Sequence, residues 1–280
     1  MHEVTKQTKP VALVTGASSG IGKAIAQRLL QDGLTVIVAA RTYDKMANLE
    51  ALGAHRLHLD IANETSIQTA VNEVINTYGG VDILVNNAGF GCYGPVEETS
   101  IADARYQFEV NLFGLARLTQ LLLPKMREKG AGKIINMSSM GGKMYTPLGA
   151  WYHASKHALE GWSDCLRLEL AQFGIDVVVV EPGVIKTEFG DVMTEPMLKR
   201  SGAGVYAAFA QNLAKAMKQT YETGDASPPS VIADVVSAAV KARKPKTRYV
   251  AGKFAKPLMF LRIWLGDRLF DRIVISMVKN

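Results

Sequence analysis

The chain is poor in cysteine, lacks a long apolar run and contains no repeat or low-complexity stretch. Its 280 residues include two cysteines, Cys92 and Cys165. Two thiols are too few for a disulfide framework or a four-thiolate zinc site, so a reduced, cytoplasmic setting is expected. No uncharged apolar run approaches the ~18 residues that a membrane span needs. The opening segment, residues 1–10, is polar and leads straight into a strand pattern, unlike a signal peptide. Finger-type Cys/His pairs are missing, and basic residues are not interleaved with stacking aromatics, which argues against a nucleic-acid module. What remains is 48% hydrophobic and 21% charged, the balance of a globular chain that buries a sizeable core.

Charge is unevenly placed. The formal net charge is +6, yet residues 241–280 hold eleven Lys/Arg against Asp267 and Asp271. The first 240 residues are slightly acidic, with 21 basic and 24 acidic side chains. A nearly neutral body with a basic tail is the result.

Short β-branched apolar runs recur at 11–16, 35–40, 56–60, 82–89, 133–139 and 176–183. Apolar on both faces, they read as strands of a parallel sheet covered by helices. Helical patterns lie between them near 20–32, 64–78, 103–129 and 151–173, with Ser100 and Asp103 placed to box the start of the third. Strict alternation argues one α/β domain over residues 1–280, a Rossmann-type doubly wound sheet with helices on both faces. Residues 184–229 read as an irregular loop plus one helix, with a substrate flap over about 188–226. A helix near 230–243, a strand at 248–252 and an amphipathic extension over about 253–280 complete the chain.

The first strand runs into Thr15-Gly16-Ala17-Ser18-Ser19-Gly20-Ile21-Gly22, which opens a helix. Glycines there permit a tight turn and close backbone approach, and the free N–H groups of the helix start suit a pyrophosphate. An acid at the end of the second strand would bond a ribose 2′-hydroxyl. That place is Ala40, followed by Arg41 and Thr42, so no carboxylate is offered. A guanidinium instead suits a 2′-phosphate, giving NADP(H) in preference to NAD(H). A solvated strand-end charge is the other reading of Arg41. Tyr152 and Lys156 stand four apart on one helix face. A phenol with a free pKa near ~10 needs such an ammonium to work as acid or base near neutrality. Ser139 lies at a strand end, where crevices of open α/β sheets form. His153 and His157 are also four apart, but no acidic third ligand accompanies them, and no metal site is expected.

The spacing T-G-x-x-x-G-x-G, then Asn86-Asn87-Ala88-Gly89, Asn111, Ser139, Tyr152-x-x-x-Lys156 and Pro182-Gly183 with Thr187, resembles the short-chain dehydrogenase/reductase family over roughly residues 10–250. The stretches 152–164 and 181–187 resemble its 17β-hydroxysteroid-dehydrogenase-like branch. The resemblance implies hydride transfer between nicotinamide and a carbonyl or alcohol carbon. Tyr152 would be the general acid/base, and Ser139, favoured over Ser138 by its distance from Tyr152, would polarise the carbonyl. Lys156 would also hold the nicotinamide ribose, and Asn111 would distort a helix and support a relay water. Asp60 would lie near the adenine amino group and Asn87, Ala88 and Gly89 along the adenosine ribose, although strand-end capping explains Asp60 and Asn87 equally well. Thr187, beyond Pro182-Gly183, would bond the carboxamide. A homodimer or homotetramer through helices 103–129 and 151–173 is also implied.

The pocket set Phe90, Cys92, Tyr93, Met144, Tyr145, Leu148 and Trp151, with Phe189, Val192, Met193 and Met197 beyond Thr187, points to a hydrophobic small-molecule substrate. A steroid, retinoid or fatty-acyl carbonyl fits, and no Arg/Lys cluster stands there for a phosphate. The alternative from another class is a dinucleotide sensor without turnover, to which Ser139, Tyr152, Lys156 and Asn111 together would be superfluous. In the tail, pairs Leu269/Phe270, Ile273/Val274 and Met277/Val278 recur every four residues, between Asp267/Arg268 and Asp271/Arg272. A lid or subunit interface is preferred over peripheral membrane contact, since both acids suit intramolecular pairs.

Overall fold

The computed structural model describes residues 9–222, 224 and 226–276. Residues 1–8 and the pair Met277/Val278 lie outside it. Seven strands form one parallel sheet: β1 (Val11–Thr15), β2 (Thr35–Ala40), β3 (His55–His58), β4 (Ile83–Asn86), β5 (Gly132–Met137), β6 (Ile175–Pro182) and β7 (Arg248–Ala251). Their order is β3-β2-β1-β4-β5-β6-β7. The doubly wound reading holds. The order reverses between β1 and β4, so the crevice beyond their carboxyl ends is the place for a ligand in this topology.

Alternation along each strand splits the core in two. Ala12, Val14, Val36, Val38, Ile83, Val85, Val178 and Val180 face α1 (Gly20–Gln31) and α9 (Ser230–Lys241). Leu13, Ile37, Leu57, Leu84, Ile134 and Val177 face α3 (Glu64–Tyr78), α5 (Gly114–Lys129) and α6 (Ala150–Leu170). A buried polar chain ties the second layer to the sheet. Asn86 Nδ2 donates to Asn136 Oδ1 (2.9 Å) and Thr119 Oγ1 (3.1 Å), and Asn136 Nδ2 donates to Ser163 Oγ (2.9 Å). Each donor would be costly if left unpaired in so apolar a layer.

Four departures from the sequence reading are local. All the strands but β2 stop one to three residues short of their β-branched runs. A 3₁₀ turn (Tyr43–Met46) and the one-turn helix α2 (Ala47–Glu50) fill the β2–β3 connection, held by buried Met46 and Leu49 rather than by any periodic pattern. The expected helix 103–129 begins earlier, as α4 (Ile101–Phe108), and widens at Glu109–Phe113, around Asn111, where a distorted helix was expected, before α5. Ser100 Oγ does accept from Asp103 N–H (3.0 Å), but the Asp103 carboxylate pairs with Arg200 (3.1 Å) instead of closing the box. Between 184 and 229 lie two helices, α7 (Phe189–Ser201) and α8 (Ala207–Glu222), where one was expected. Met193, Met197, Ala210 and Leu213 hold them together. The last two helices are α10 (Ala255–Trp264) and α11 (Gly266–Ser276).

Helix α5 starts in contact with the β3 loop: a Cβ on Gly114 would lie 1.9 Å from the Ile61 carbonyl oxygen. Backbone cannot yield as a side-chain tip does. Gly114→Ala is therefore expected to destabilise the fold by about 1–3 kcal/mol, read as a lowered thermal unfolding midpoint. An unchanged midpoint would show that the two segments separate freely.

Candidate active site

Beyond the carboxyl ends of β1, β4, β5 and β6 lies a cavity of about 360 Å³. The turn after β1 forms its first wall. Thr15 Oγ1 accepts the N–H groups of Asn87 and Ala88, both at 3.0 Å. Asn87 Nδ2 returns to the carbonyls of Thr15 (2.9 Å) and Gly16 (3.3 Å). A Cβ on Gly22 would sit 2.3 Å from Gly16 O within the turn and 2.5 Å from Asn87 Nδ2 across the stitch. Gly16 and Gly20 have φ of 65° and 53°, in the left-handed region that favours glycine. Ser19 caps α1 without a side-chain hydrogen bond, and the first turn carries no acid. Its N–H groups and helix dipole thus face the cavity with no internal anion to satisfy them, which fits a pyrophosphate. Gly16, Ser19, Gly20, Ile21, Gly22, Asn87, Ala88 and Gly89 all reach the wall, as do Pro182, Gly183 and Thr187.

The other wall comes from α6 and the loop after β5. Tyr152, Lys156, Ser138 and Ser139 line the same cavity. Lys156 is buried, and its ammonium donates to the Met137 carbonyl at 2.8 Å. Burial pushes its pKa down to about 8, against the pull of the Glu160 carboxylate. Ser139 Oγ accepts from Gly141 N–H (3.0 Å), which leaves its own proton for an acceptor in the cavity. Ser138 Oγ is buried with no hydrogen-bond partner among the described residues.

Asn111 stands behind this wall, not on it. Fully buried in the wide turn, it accepts from Phe90 N–H (3.1 Å) and donates to Phe90 O (3.0 Å) and Ser155 Oγ (3.1 Å). Ser155 in turn donates to Tyr152 O (2.7 Å). One amide thereby links the loop after β4 to the helix that carries Tyr152.

Four expected cofactor contacts are absent from the cavity wall. Ser18 does not reach the lining, and Arg41 and Thr42 lie exposed past the end of β2. Arg41 donates to the Tyr106 hydroxyl at 3.0 Å and forms no ion pair among the described residues. Asp60 Oδ1 accepts from Ala62 N–H (3.0 Å), the strand-end capping role.

The pocket set is partly corrected. Phe90, Tyr93, Met144, Phe189, Val192 and Met193 reach the wall; Cys92, Tyr145, Leu148, Trp151 and Met197 do not. Cys92 is buried with its N–H on Gln107 Oε1 (2.5 Å), and Met197 is consumed by the α7–α8 contact. Tyr145 turns away to donate to Asp271 (2.9 Å). Met137, Met140, Leu213 and Met217 take their place. Only the α8 stripe Leu213/Met217, four apart, had a periodic signal.

His153 also borders the cavity, with both ring nitrogens engaged. Nε2 accepts from Thr146 N–H (3.0 Å), so Nδ1 carries the proton and donates to Gly141 O (2.9 Å). His157 Nδ1 lies 2.8 Å from His153 O.

A doubly wound sheet with an anion-ready helix start and a Tyr/Lys/Ser wall defines a dinucleotide-type oxidoreductase fold. A family model described as short chain dehydrogenase matches residues 10–197. The chain is 37% identical over 286 residues to the NADPH-dependent 3-dehydrocapnine reductase of Ornithobacterium rhinotracheale, with 96% of this chain and 97% of that one covered. It is 35% identical over 269 residues to the uncharacterized oxidoreductase YbbO of Escherichia coli (strain K12), covering 94% and 93%. A solved short-chain dehydrogenase from Streptomyces avermitilis matches with TM-score 0.78 at 34% identity, covering 92% and 93%. Other structures of this fold hold NADP or NADH. The chain belongs to the short-chain dehydrogenase/reductase family.

Burial lowers the His153 pKa from 6.5 to about 4. The unfolded chain therefore binds a proton between these values that the folded chain refuses. The stability this neutral imidazole contributes is present above pH 6.5 and lost as pH falls toward 4, by about 3 kcal/mol at most. Unfolding midpoints across that range should fall less steeply in His153→Gln, by about one proton. Parallel slopes would mean that His153 protonates in place.

Proposed function

We propose that this protein reduces a hydrophobic ketone or aldehyde to its alcohol, and oxidises the alcohol in reverse, with NADP(H) preferred over NAD(H). One observation carries the reading: Tyr152, Lys156 and Ser139 line the same cavity as the glycine turn. When bound, the dinucleotide would supply or accept the hydride. Gly16, Ser19–Gly22, Asn87–Gly89, Pro182, Gly183 and Thr187 would hold it, with Lys156 on its ribose. Ser18 and Asp60 stay within the proposed set as loop and strand-end neighbours of that site.

Tyr152 Oη would give its proton to the carbonyl oxygen in reduction and take it back in oxidation. The Lys156 ammonium, held by the Met137 carbonyl, favours the phenolate that forms. Ser139 would donate to the same substrate oxygen, as the free direction of its hydroxyl supports. Asn111 would set the Phe90 loop and, through Ser155, the Tyr152 backbone, and would support the relay water. The apolar Met and aromatic wall supports a steroid, retinoid or fatty-acyl carbonyl as substrate.

NADP preference rests on Arg41, which pairs with no acid among the described residues, with Thr42 beside it. A relative that is NADPH-dependent supports it further. We also place the protein in the cytoplasm, in keeping with its two free thiols, as a homodimer or homotetramer. Exposed Tyr106, Phe113 and Leu168, along the helical layer of α4 to α6, support that assembly.

With NADPH and long-chain aldehydes, ketosteroids and retinal as substrates, turnover is expected and Tyr152→Phe should lower it by about 10²–10⁴-fold. Fluorescence titration should find NADPH binding intact in that variant. Retained turnover removes Tyr152 from its role, and binding without consumption of any carbonyl favours the sensor reading. Separately, Arg41→Ala should weaken NADPH binding about tenfold to a hundredfold while leaving NADH within about twofold. Tighter NADH than NADPH binding by the unaltered protein would reverse the cofactor assignment.

A further inference from the structure

Helices α10 and α11 face two different environments. Inward, α11 buries Phe270 and Val274 against Met144, and the Tyr145 and Phe270 rings meet edge-on at 5.3 Å. Outward, α10 shows Phe260, Ile263 and Trp264, which are 60%, 66% and 71% exposed. With exposed Lys256 one turn earlier, their spacing of four, three and one makes a single stripe along the helix. The Phe260 and Trp264 rings lie 6.0 Å apart, in contact with each other and open to water. Leu265 and Leu269 continue the apolar surface onto α11, beside exposed Arg268 and Arg272.

The charges decide what this face fits. Both acids of the tail are already engaged: Asp267 pairs with Arg262 (2.8 Å), and Asp271 accepts from Tyr145. Among the described residues, Lys256, Arg268 and Arg272 form no ion pair around the apolar stripe. A second copy docked face to face by a two-fold axis would set these cations against their own images. An anionic surface neutralises them while taking up the aromatic side chains.

We propose that α10 and α11 dock the protein reversibly on an anionic lipid surface. Phe260, Ile263 and Trp264 enter the headgroup boundary, and Lys256, Arg268 and Arg272 meet the lipid phosphates. The inward face keeps its contact with Met140 and Met144, which also line the cavity, so the bilayer would sit beside the cavity rim. Lid and membrane contact are then two sides of one element. The docking face itself does not depend on the reaction proposed above.

The test is co-sedimentation of the full-length protein with vesicles of phosphatidylcholine alone or mixed with phosphatidylglycerol. Capture on the mixed vesicles, little on the neutral ones, and release in roughly half-molar salt are expected. Phe260→Ser/Trp264→Ser and Arg268→Glu/Arg272→Glu should each lower the captured fraction about tenfold, with thermal unfolding midpoints kept. All four side chains are exposed, so either pair alone serves if the other fails to fold. No capture of the unaltered protein, or capture that survives both double variants, overturns the proposal. A smaller assembly of Phe260→Ser/Trp264→Ser by light scattering, without vesicle capture of the parent, assigns the face to a second copy instead.

Discussion

The reciprocal hydrogen bonds between Thr15 and Asn87 hold the two sides of the topological switch together. One threonine hydroxyl receives two backbone N–H groups, and one asparagine amide answers to two carbonyls. The loops after β1 and β4 thereby lie in contact: a Cβ on Gly16 would sit 2.9 Å from Ala88 Cα, and one on Gly22 2.5 Å from the Asn87 side-chain amide nitrogen. The start of α1 is aimed into the cavity by this closeness and by the parallel pairing of β1 with β4. Without the stitch, the anion-ready N–H groups and the Tyr152 wall would have no fixed separation.

Behind the cavity, buried polar groups support the residues that line it. Asn111 joins the Phe90 backbone to Ser155, and Ser155 joins the Tyr152 carbonyl. His153, neutral and doubly bonded, braces Gly141 and Thr146 around Ser139. Deeper still, Glu160 accepts from Arg248 (3.1 Å) and pairs with Lys143 (2.9 Å), next to Glu181, whose burial and whose neighbour's charge push its pKa up. Such groups are costly to bury and serve where one arrangement must be held against others.

The carboxyl-terminal third works differently. Helices α7 and α8 close over the cavity through methionines and Leu213, whose unbranched or adaptable shapes impose little direction of their own. Arg200 ties α7 back to the Tyr93 carbonyl at 2.8 Å and to Asp103, fastening the cover at one edge. Helix α11 then covers the 140–145 segment from outside. The cavity is thus walled by a rigid sheet edge on one side and by compliant apolar helices on the other, an arrangement suited to irregular apolar ligands.

The strand pattern, the seven-element alternation and the glycine turn were legible because each is a local property. A β-branched run buried on both faces needs no knowledge of its neighbours, and a left-handed φ at Gly16 or Gly20 selects its residue directly. The four-residue spacing of Tyr152 and Lys156 likewise fixes a shared helix face. Tertiary structure alone decided the rest. Cys92, Tyr145 and Met197 are near the pocket in sequence, yet direction and packing turn them away, while Met137 and Met140, on either side of Ser139, and Met217, far along the chain on α8, take their place. The family resemblance implied a distorted helix at Asn111, but the partner of its amide, the Phe90 backbone 21 residues away, came only from the fold. Asp267 and Asp271 suited intramolecular pairs by sequence, but which side chains they would engage, and hence which charges α11 leaves outward, depended on where Tyr145 and Arg262 came to rest. Periodicity reports which faces are apolar; only the fold determines what each face meets.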